Sequence, residues 1–267
     1  MNGKPSTCLP VSDRGLHYGD GVFETIRIPN KNLPLEVHPL WKLHIRRLKK
    51  GCERLDLCFP GEELLAQEVE QIRLPNICCV IKIILTRAGN QFGYSPNTNA
   101  TNRIVMITHR GSMHTPSEFH IARSKINLAK QPFLAGIKHL NRLENVLAAK
   151  EINASFQEVI LCNEQDEAIE GSRTNIFALN EENVWLTPAL ENGGVEGVLR
   201  TWILQHAAML NISCEIASIP YAKLCQARAI FLTNSVIGIV PVARIQDMAK
   251  SCHPVKPIQR LWSSAWQ

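Results

Sequence analysis

Long apolar runs are missing from this chain: no stretch reaches the roughly 18 to 20 residues that a membrane-spanning helix requires. No apolar segment follows Met1-Asn-Gly-Lys4 either, so no secretory leader is read there and a cytoplasmic protein is expected. The nine cysteines include no Cys-x-x-Cys pair and no His/Cys cluster with zinc spacing, so no metal is expected. Their odd number, the adjacent Cys78 and Cys79, and apolar settings such as Val159 to Cys162 point to buried, reduced thiols. Concentrated charge is also lacking. The net charge is +5 and the basic residues are scattered apart from Lys42 to Lys50, which speaks against a nucleic-acid binder and leaves a weak preference for anionic small molecules.

With 267 residues, 45% of them apolar, the chain can bury two moderate cores. Alternation over 21–28 predicts a strand, and an extended piece over 33–37 would complete a hairpin. A helix is expected from Pro39 to about Leu55 and another over 62–72. Strands over 77–85 and 103–108 enclose a loop, 87–101, rich in Gly, Asn, Ser and Pro, where binding residues tend to lie. The weakly patterned residues 112–118 form an expected linker between a small domain, 1–111, and a larger one, 119–267. In the second part, strands are predicted over 121–126, 158–163, 175–179, 184–186, 229–233 and 237–242, with helices after residue 140 and from Val198 to Leu210. Short strands mixed with helices, without a regular βαβ series or internal repeat, argue for an α+β arrangement.

One lysine stands apart. Lys138 ends the apolar, strand-like run Leu134-Ala-Gly-Ile137 and precedes an amphipathic helix with Leu140, Leu143, Val146 and Leu147 at helical intervals. Asn141 and Glu144 have capping-box spacing, which would hold Lys138 on a short fixed connection. Desolvation there favours the neutral amine, the form that acts as nucleophile. Most of the 29 Lys and Arg residues must be solvated surface, so the case rests on what else the chain supplies.

It supplies a candidate phosphate site and a candidate carboxylate. Gly197 precedes the helix at Val198, whose first N–H groups and dipole favour an anion; Ser235 after a strand and Arg47 could add donors. Glu170-Gly-Ser-Arg-Thr-Asn175 sets one carboxylate beside an N–H-rich turn, where it could pair with a protonated ring nitrogen. A reactive lysine, a phosphate site and such a carboxylate together describe pyridoxal 5'-phosphate.

At this point the chain resembles the fold-type IV, class IV pyridoxal-phosphate enzymes, which comprise branched-chain aminotransferases, D-amino acid aminotransferases and aminodeoxychorismate lyases. Ser12-Asp-Arg-Gly-Leu-His-Tyr-Gly-Asp-Gly-Val-Phe-Glu24 is similar to the family's N-terminal signature, and His44-x-x-Arg47-Leu48 to its phosphate-arginine motif. Glu170-x4-Asn175-x-Phe177 resembles its ring-nitrogen motif, and Gly197-Val-Leu-Arg200 and Thr233-Asn-Ser235 its phosphate turns. The segment Gly136-Ile-Lys138-His-Leu-Asn-Arg-Leu-Glu144 is most similar to that of the aminodeoxychorismate lyases. Related lyases often carry an arginine before Gly-Tyr, where this chain has Gln91-Phe92-Gly93-Tyr94.

The resemblance implies a two-domain fold and elimination of pyruvate from 4-amino-4-deoxychorismate. It implies Lys138 and Thr25 as catalytic residues, with Tyr94 and Lys138 itself as alternative sources of the leaving group's proton. Arg47, Lys138, Glu170, Thr174, Asn175, Val198, Leu199 and Ser235 would bind the cofactor. Tyr18, Arg87, Tyr94, Arg103 and Asn234 would bind the substrate. A homodimer with no nucleic-acid or membrane partner is also implied. A class IV aminotransferase, or a catalytically idle paralogue, would share most of these residues.

Overall fold

The computed structural model describes residues 1–29, 34–72, 77–89, 93–111 and 113–266. The chain divides into two compact units, Met1–Met113 with Ile137–Asn141, and His114–Gly136 with Arg142–Gln267. The Lys138 segment thus clusters with the first unit. Residue 112, at the start of the expected linker, lies outside the described residues, as do Gln91 and Phe92 of the glycine-bearing loop.

The first unit contains α1 (Arg14–Tyr18), β1 (Gly21–Ile28), α2 (Trp41–Arg54), α3 (Glu62–Ile72), β2 (Cys79–Arg87) and β3 (Thr101–Arg110). Its antiparallel sheet has the order β1-β2-β3. Along β1 the side chains alternate: Val22, Glu24, Ile26 and Ile28 are buried, whereas Phe23, Thr25 and Arg27 are half-buried. The buried row meets α2, which turns Trp41, Ile45, Leu48 and Cys52 inward at spacings of three and four. Lys42, Arg46, Lys49 and Lys50 of that helix point to solvent.

The expected hairpin partner of β1 over 33–37 is not a strand. Residue 33 lies outside the described residues, and Leu35–Val37 forms a single 3-10 turn. Pro34 precedes that turn, and the His38 ring holds its exit: Nε2 donates to the Arg27 carbonyl at 2.8 Å while Nδ1 accepts from the Leu40 N–H at 3.1 Å. β1 pairs with β2 instead, from Gly21 opposite Thr86 to Ile28 opposite Cys79.

The second unit contains β4 (Phe119–Asn127), α4 (Leu143–Ala149), β5 (Glu158–Cys162), β6 (Ala168–Gly171), β7 (Asn175–Leu179) and β8 (Val184–Thr187). It continues with α5 (Val198–His206), β9 (Ser213–Ile216), α6 (Tyr221–Gln226), β10 (Ala229–Asn234), β11 (Gly238–Ile245), β12 (Met248–Ala249) and α7 (Lys256–Ser264). Its mixed sheet runs β6-β5-β4-β11-β10-β7-β8-β9, with β12 on β11. The pairs β4/β5, β4/β11 and β8/β9 are parallel and the rest antiparallel. Strands β5 and β7 are wholly buried, which accounts for their uninterrupted apolar runs. Phe177 stacks on Phe231 with centroids 4.7 Å apart, and Trp185 meets Phe231 edge-on at 4.8 Å. The fold is α+β in two parts. Cys52, Cys79, Cys162 and Cys225 are buried and outside any disulfide, but Cys8 and Cys58 are exposed, so burial does not extend to every cysteine.

Candidate functional site

The expected site residues fall into two anchored groups of side chains, one on each unit. On the first, Lys138 does not end a strand. Residues 132–135 form a turn, Gly136 takes a left-handed φ of 79° that breaks any extended run, and residues 138–140 then lie along the free edge of β1. Phe23 N–H donates to the Lys138 carbonyl at 2.9 Å and Leu140 N–H to the Gly21 carbonyl at 3.0 Å. These bonds cover the edge of β1 and fix the lysine backbone. The Lys138 ammonium stands 4.5 Å from the Phe23 ring centroid, and Lys82 approaches the same ring at 4.6 Å. Thr25 follows Phe23 on that face of β1, opposite Lys82 in the register. Lys138 and Thr25 are thereby on one face.

The capping box expected after the lysine is absent. Asn141 Nδ2 donates to the Gly19 carbonyl, Glu144 Oε1 accepts from Ala129 N–H, and α4 starts two residues after Asn141, preceded by Arg142, whose side chain does not cap the helix.

On the buried phase of β1, Glu24 meets two basic residues one turn apart on α2. Arg47 Nε donates to Oε1 at 2.7 Å and Nη2 to Oε2 at 2.5 Å; His44 Nδ1 donates to Oε2 at 2.6 Å. Burial pushes the Glu24 carboxyl up, but the charges and hydrogen bonds of Arg47 and His44 outweigh it and bring the pKa from 4.5 to about 2. Burial holds His44 below its ordinary value; Glu24 works against that, and Arg47 and Lys138 reinforce it. Arg47 therefore meets an ion pair first, and two of its donors face Glu24.

On the second unit, Glu170 is buried on β6, with Oε2 accepting from Val195 N–H at 2.8 Å. Gly136 pairs with this same segment: its N–H donates to the Gly194 carbonyl at 2.9 Å, and its carbonyl accepts from Glu196 N–H at 3.0 Å. Thr174 Oγ1 turns inward to Glu158 at 3.3 Å, and Asn175 Nδ2 donates to the Val195 carbonyl at 2.8 Å. Helix α5 begins at Val198 after Gly197, which offers no side-chain cap, so its first N–H groups lack helical partners. A Cβ on Gly197 would fall 1.7 Å from Asn175 Oδ1, so only glycine fits. The side chains of Val198 and Leu199 are in the core, leaving their backbone N–H groups as the available donors. Thr233, opposite Asn175 in the register, has a buried hydroxyl with no hydrogen-bond partner among the described residues. Half-buried Ser235 lies in the turn just beyond β10. An uncapped helix start, an orphaned hydroxyl and a carboxylate held by N–H groups fit a ligand bearing a phosphate and a basic ring nitrogen.

The expected substrate residues divide. Tyr18 and Tyr94 come together, ring centroids 5.6 Å apart, with Gly93 N–H donating to the Tyr18 hydroxyl at 2.8 Å. Arg87 donates to Asp20 Oδ2 at 2.9 Å and to the carbonyls of Leu55, Asp56 and Thr98, which makes it an anchor of the loop. Arg103 pairs with Glu68 at 2.8 Å. Asn234 donates to the Arg173 carbonyl at 2.7 Å and accepts from Val236 N–H at 2.8 Å, ordering its own turn.

Several residues at these sites escape a reading of the sequence. Arg14, 4% exposed, donates to Asp20 and to the carbonyls of Gly93 and Tyr94. Lys82 had a signal, a single charge inside Val80-Ile-Lys-Ile-Ile-Leu85. Glu24 had one too, since it interrupts the otherwise apolar buried row of β1.

Comparison with known proteins agrees with this geometry. The family model described as amino-transferase class IV matches residues 21–245. An aminodeoxychorismate lyase of Vibrio harveyi is 31% identical over 254 residues, covering 92% of this chain and 90% of the relative. A putative branched-chain-amino-acid aminotransferase of Methanocaldococcus jannaschii is 28% identical, covering 89% and 82%. The crystal structure of 4-amino-4-deoxychorismate lyase from Pseudomonas aeruginosa superposes with a TM-score of 0.82 at 29% identity, over 98% of this chain and 97% of that one.

Proposed function

The chain belongs to the class IV aminotransferase family, and from that premise we propose that it is a pyridoxal 5'-phosphate-dependent lyase converting 4-amino-4-deoxychorismate to p-aminobenzoate and pyruvate. The observation that carries the proposal is Lys138, fixed by backbone bonds at the edge of β1 with the Thr25 hydroxyl on the same face, in a chain 31% identical to a lyase of that name.

Lys138 would hold the cofactor covalently, Glu170 would face its ring nitrogen, and the Val198 and Leu199 N–H groups, Ser235 and Arg47 would hold its phosphate. Thr174 and Asn175 order the turn beside that carboxylate. When bound, the cofactor supplies an electron sink for a carbanion at the nitrogen-bearing carbon. The Lys138 amine, once released, takes the proton from that carbon. Glu170 keeps the ring nitrogen protonated by remaining an anion beside it. Thr25 delivers a proton to the departing enolpyruvate, which becomes pyruvate, and the six-membered ring is left aromatic. Tyr18 at the end of α1, Tyr94 in the loop before β3 and Asn234 at the end of β10 would orient the substrate, while Arg87 and Arg103 contribute through the loop they border.

The proposal extends to a homodimer in the cytoplasm, organised as 1–111, 112–118 and 119–267. The exposed apolar residues Leu143, Val146 and Leu147 on α4 support a contact between subunits. No helix among the described residues is long and apolar enough to cross a membrane.

The deciding experiment incubates the protein with pyridoxal phosphate and 4-amino-4-deoxychorismate and follows p-aminobenzoate and pyruvate together. D-alanine, L-leucine and L-glutamate serve as parallel amino donors. Equal release of both products supports the lyase. Conversion of the cofactor to its pyridoxamine form by an amino acid at a faster rate would establish the aminotransferase reading, which the Methanocaldococcus relative favours. A protein that stays colourless with the cofactor would be the idle paralogue.

A further inference from the structure

Asn145 lies on α4, seven residues after Lys138, and no motif described above gives it a role. Its side-chain amide donates to Glu170 Oε1 at 3.3 Å and to the Ser172 carbonyl at 3.1 Å. The other oxygen of Glu170 is held by Val195 N–H. Each oxygen of this carboxylate thus has a neutral N–H donor.

The turn after Glu170 is clamped by a second carboxylate. Glu158, fully buried on β5, accepts from Ser172 N–H at 3.0 Å, Ser172 Oγ at 2.5 Å and Thr174 Oγ1 at 3.3 Å. Asn145 binds the Ser172 carbonyl of that turn and the carboxylate through Oε1. One amide therefore ties α4 both to the Glu170 carboxylate and to the backbone just beyond it.

A carboxylate that serves a ring nitrogen must stay ionised and keep a lone pair in a fixed direction. Neutral donors accomplish both, since hydrogen bonds favour the charged form without adding a cation that competes for it. An arginine or lysine in place of Asn145 would neutralise Glu170, and an apolar residue would free it to rotate.

We propose that Asn145 is a positioning residue for Glu170, an inference that rests on the pyridoxal phosphate reading. It orients Oε1 and keeps the carboxylate an anion, so that the cofactor's ring nitrogen remains protonated. Because α4 follows Lys138 directly in the chain, the same short stretch of sequence sets the covalent anchor and steadies the group that tunes the ring.

The test compares wild type, Asn145→Ala and Asn145→Asp, each loaded with pyridoxal phosphate labelled with nitrogen-15 in the ring. Alanine suits a helix and Asn145 is only half-buried, so both variants should fold. The readouts are the ring-nitrogen chemical shift, the visible absorption of the bound cofactor and turnover, all against pH. Asn145→Ala should lower the protonated fraction of the ring nitrogen and reduce turnover about tenfold across the pH range. Asn145→Asp places a second carboxyl beside Glu170, and two such groups share a proton with a raised apparent pKa. In acid its carboxyl O–H donates to Oε1 and restores the wild-type signature; in base the two anions repel and the signature is lost. The other ionisable groups on the packed elements, Glu158 on β5, Arg173 on the turn, and Glu144 on α4, are the same in all three proteins, so the difference isolates this pair. Wild-type ring-nitrogen shifts and titrations in both variants would overturn the proposal. A wild-type protein that takes up no pyridoxal phosphate would overturn both this and the proposed function, whereas normal loading with unchanged variants would overturn this inference alone.

Discussion

Glu24 and Arg47 form a two-point ion pair inside the first unit, with Nε to Oε1 at 2.7 Å and Nη2 to Oε2 at 2.5 Å. The partners come from opposite elements, since Glu24 lies on the inward phase of β1 and Arg47 on the face of α2 packed against it. His44, one turn earlier, adds a third contact.

This pair predicts acid sensitivity. The Glu24 pKa falls from 4.5 to about 2 on folding, so its stabilisation is complete above about pH 4.5 and is lost as the pH falls toward 2. His38, lowered from 6.5 to about 4 by burial, acts in the same direction between those values, because protonation favours the unfolded chain. Glu24→Gln should cost about 3 kcal/mol at neutral pH and flatten the acid limb of the stability curve. Urea midpoints measured from pH 7 to pH 3 check this; an unchanged acid limb would assign the sensitivity elsewhere.

Replacing Lys138 tests both the cofactor bond and the local field. Lys138→Ala should fold, lose the cofactor attachment that borohydride fixes, and lose p-aminobenzoate formation by roughly three orders of magnitude or more. In the cofactor-free protein the His44 pKa should also rise, because the Lys138 charge is one of the influences lowering it. Histidine NMR titration reads that shift independently of activity.

Gly197→Ala isolates the phosphate turn. The added Cβ would meet Asn175 Oδ1 at 1.7 Å, and Asn175 is already bonded to Val195, so the turn must open. We expect the Kd for pyridoxal phosphate to rise about tenfold, in line with the cost of overpacking. Fluorescence titration with the cofactor and with inorganic phosphate would show whether the loss follows the phosphate group.

Some of this architecture was legible in the sequence and some was not, for identifiable reasons. Strand β7 and helix α3 are found over the expected residues because each is long enough to show its period or its run of buried apolar side chains. The short elements α1, β6, β9 and α6 lack that length and owe their form to neighbours. The lysine connection departs from its strand-like and capping-box pattern because Gly136 turns the chain locally and because Asn141 and Glu144 bond to distant backbone groups. Asn145 reads as a solvated helix residue until β6 is placed beside α4. The motif residues were visible because their types are demanded by chemistry, whereas Arg14 and Glu158 become meaningful only through the backbone groups they hold.

Thr25→Val provides the sharpest separation of binding from chemistry. The substitution preserves volume and strand preference on β1 and removes only the hydroxyl on the face that carries Phe23 and Lys138. Cofactor affinity and the visible spectrum should stay unchanged, since no phosphate or ring contact is lost. Lyase kcat should fall roughly 100-fold or more with little change in KM, the pattern for a group that acts on the leaving enolpyruvate. Added small weak acids should restore part of the rate by supplying the missing proton. An unaltered kcat would transfer the proton-donor role to Lys138 or Tyr94, and a rise confined to KM would make Thr25 a substrate-binding residue.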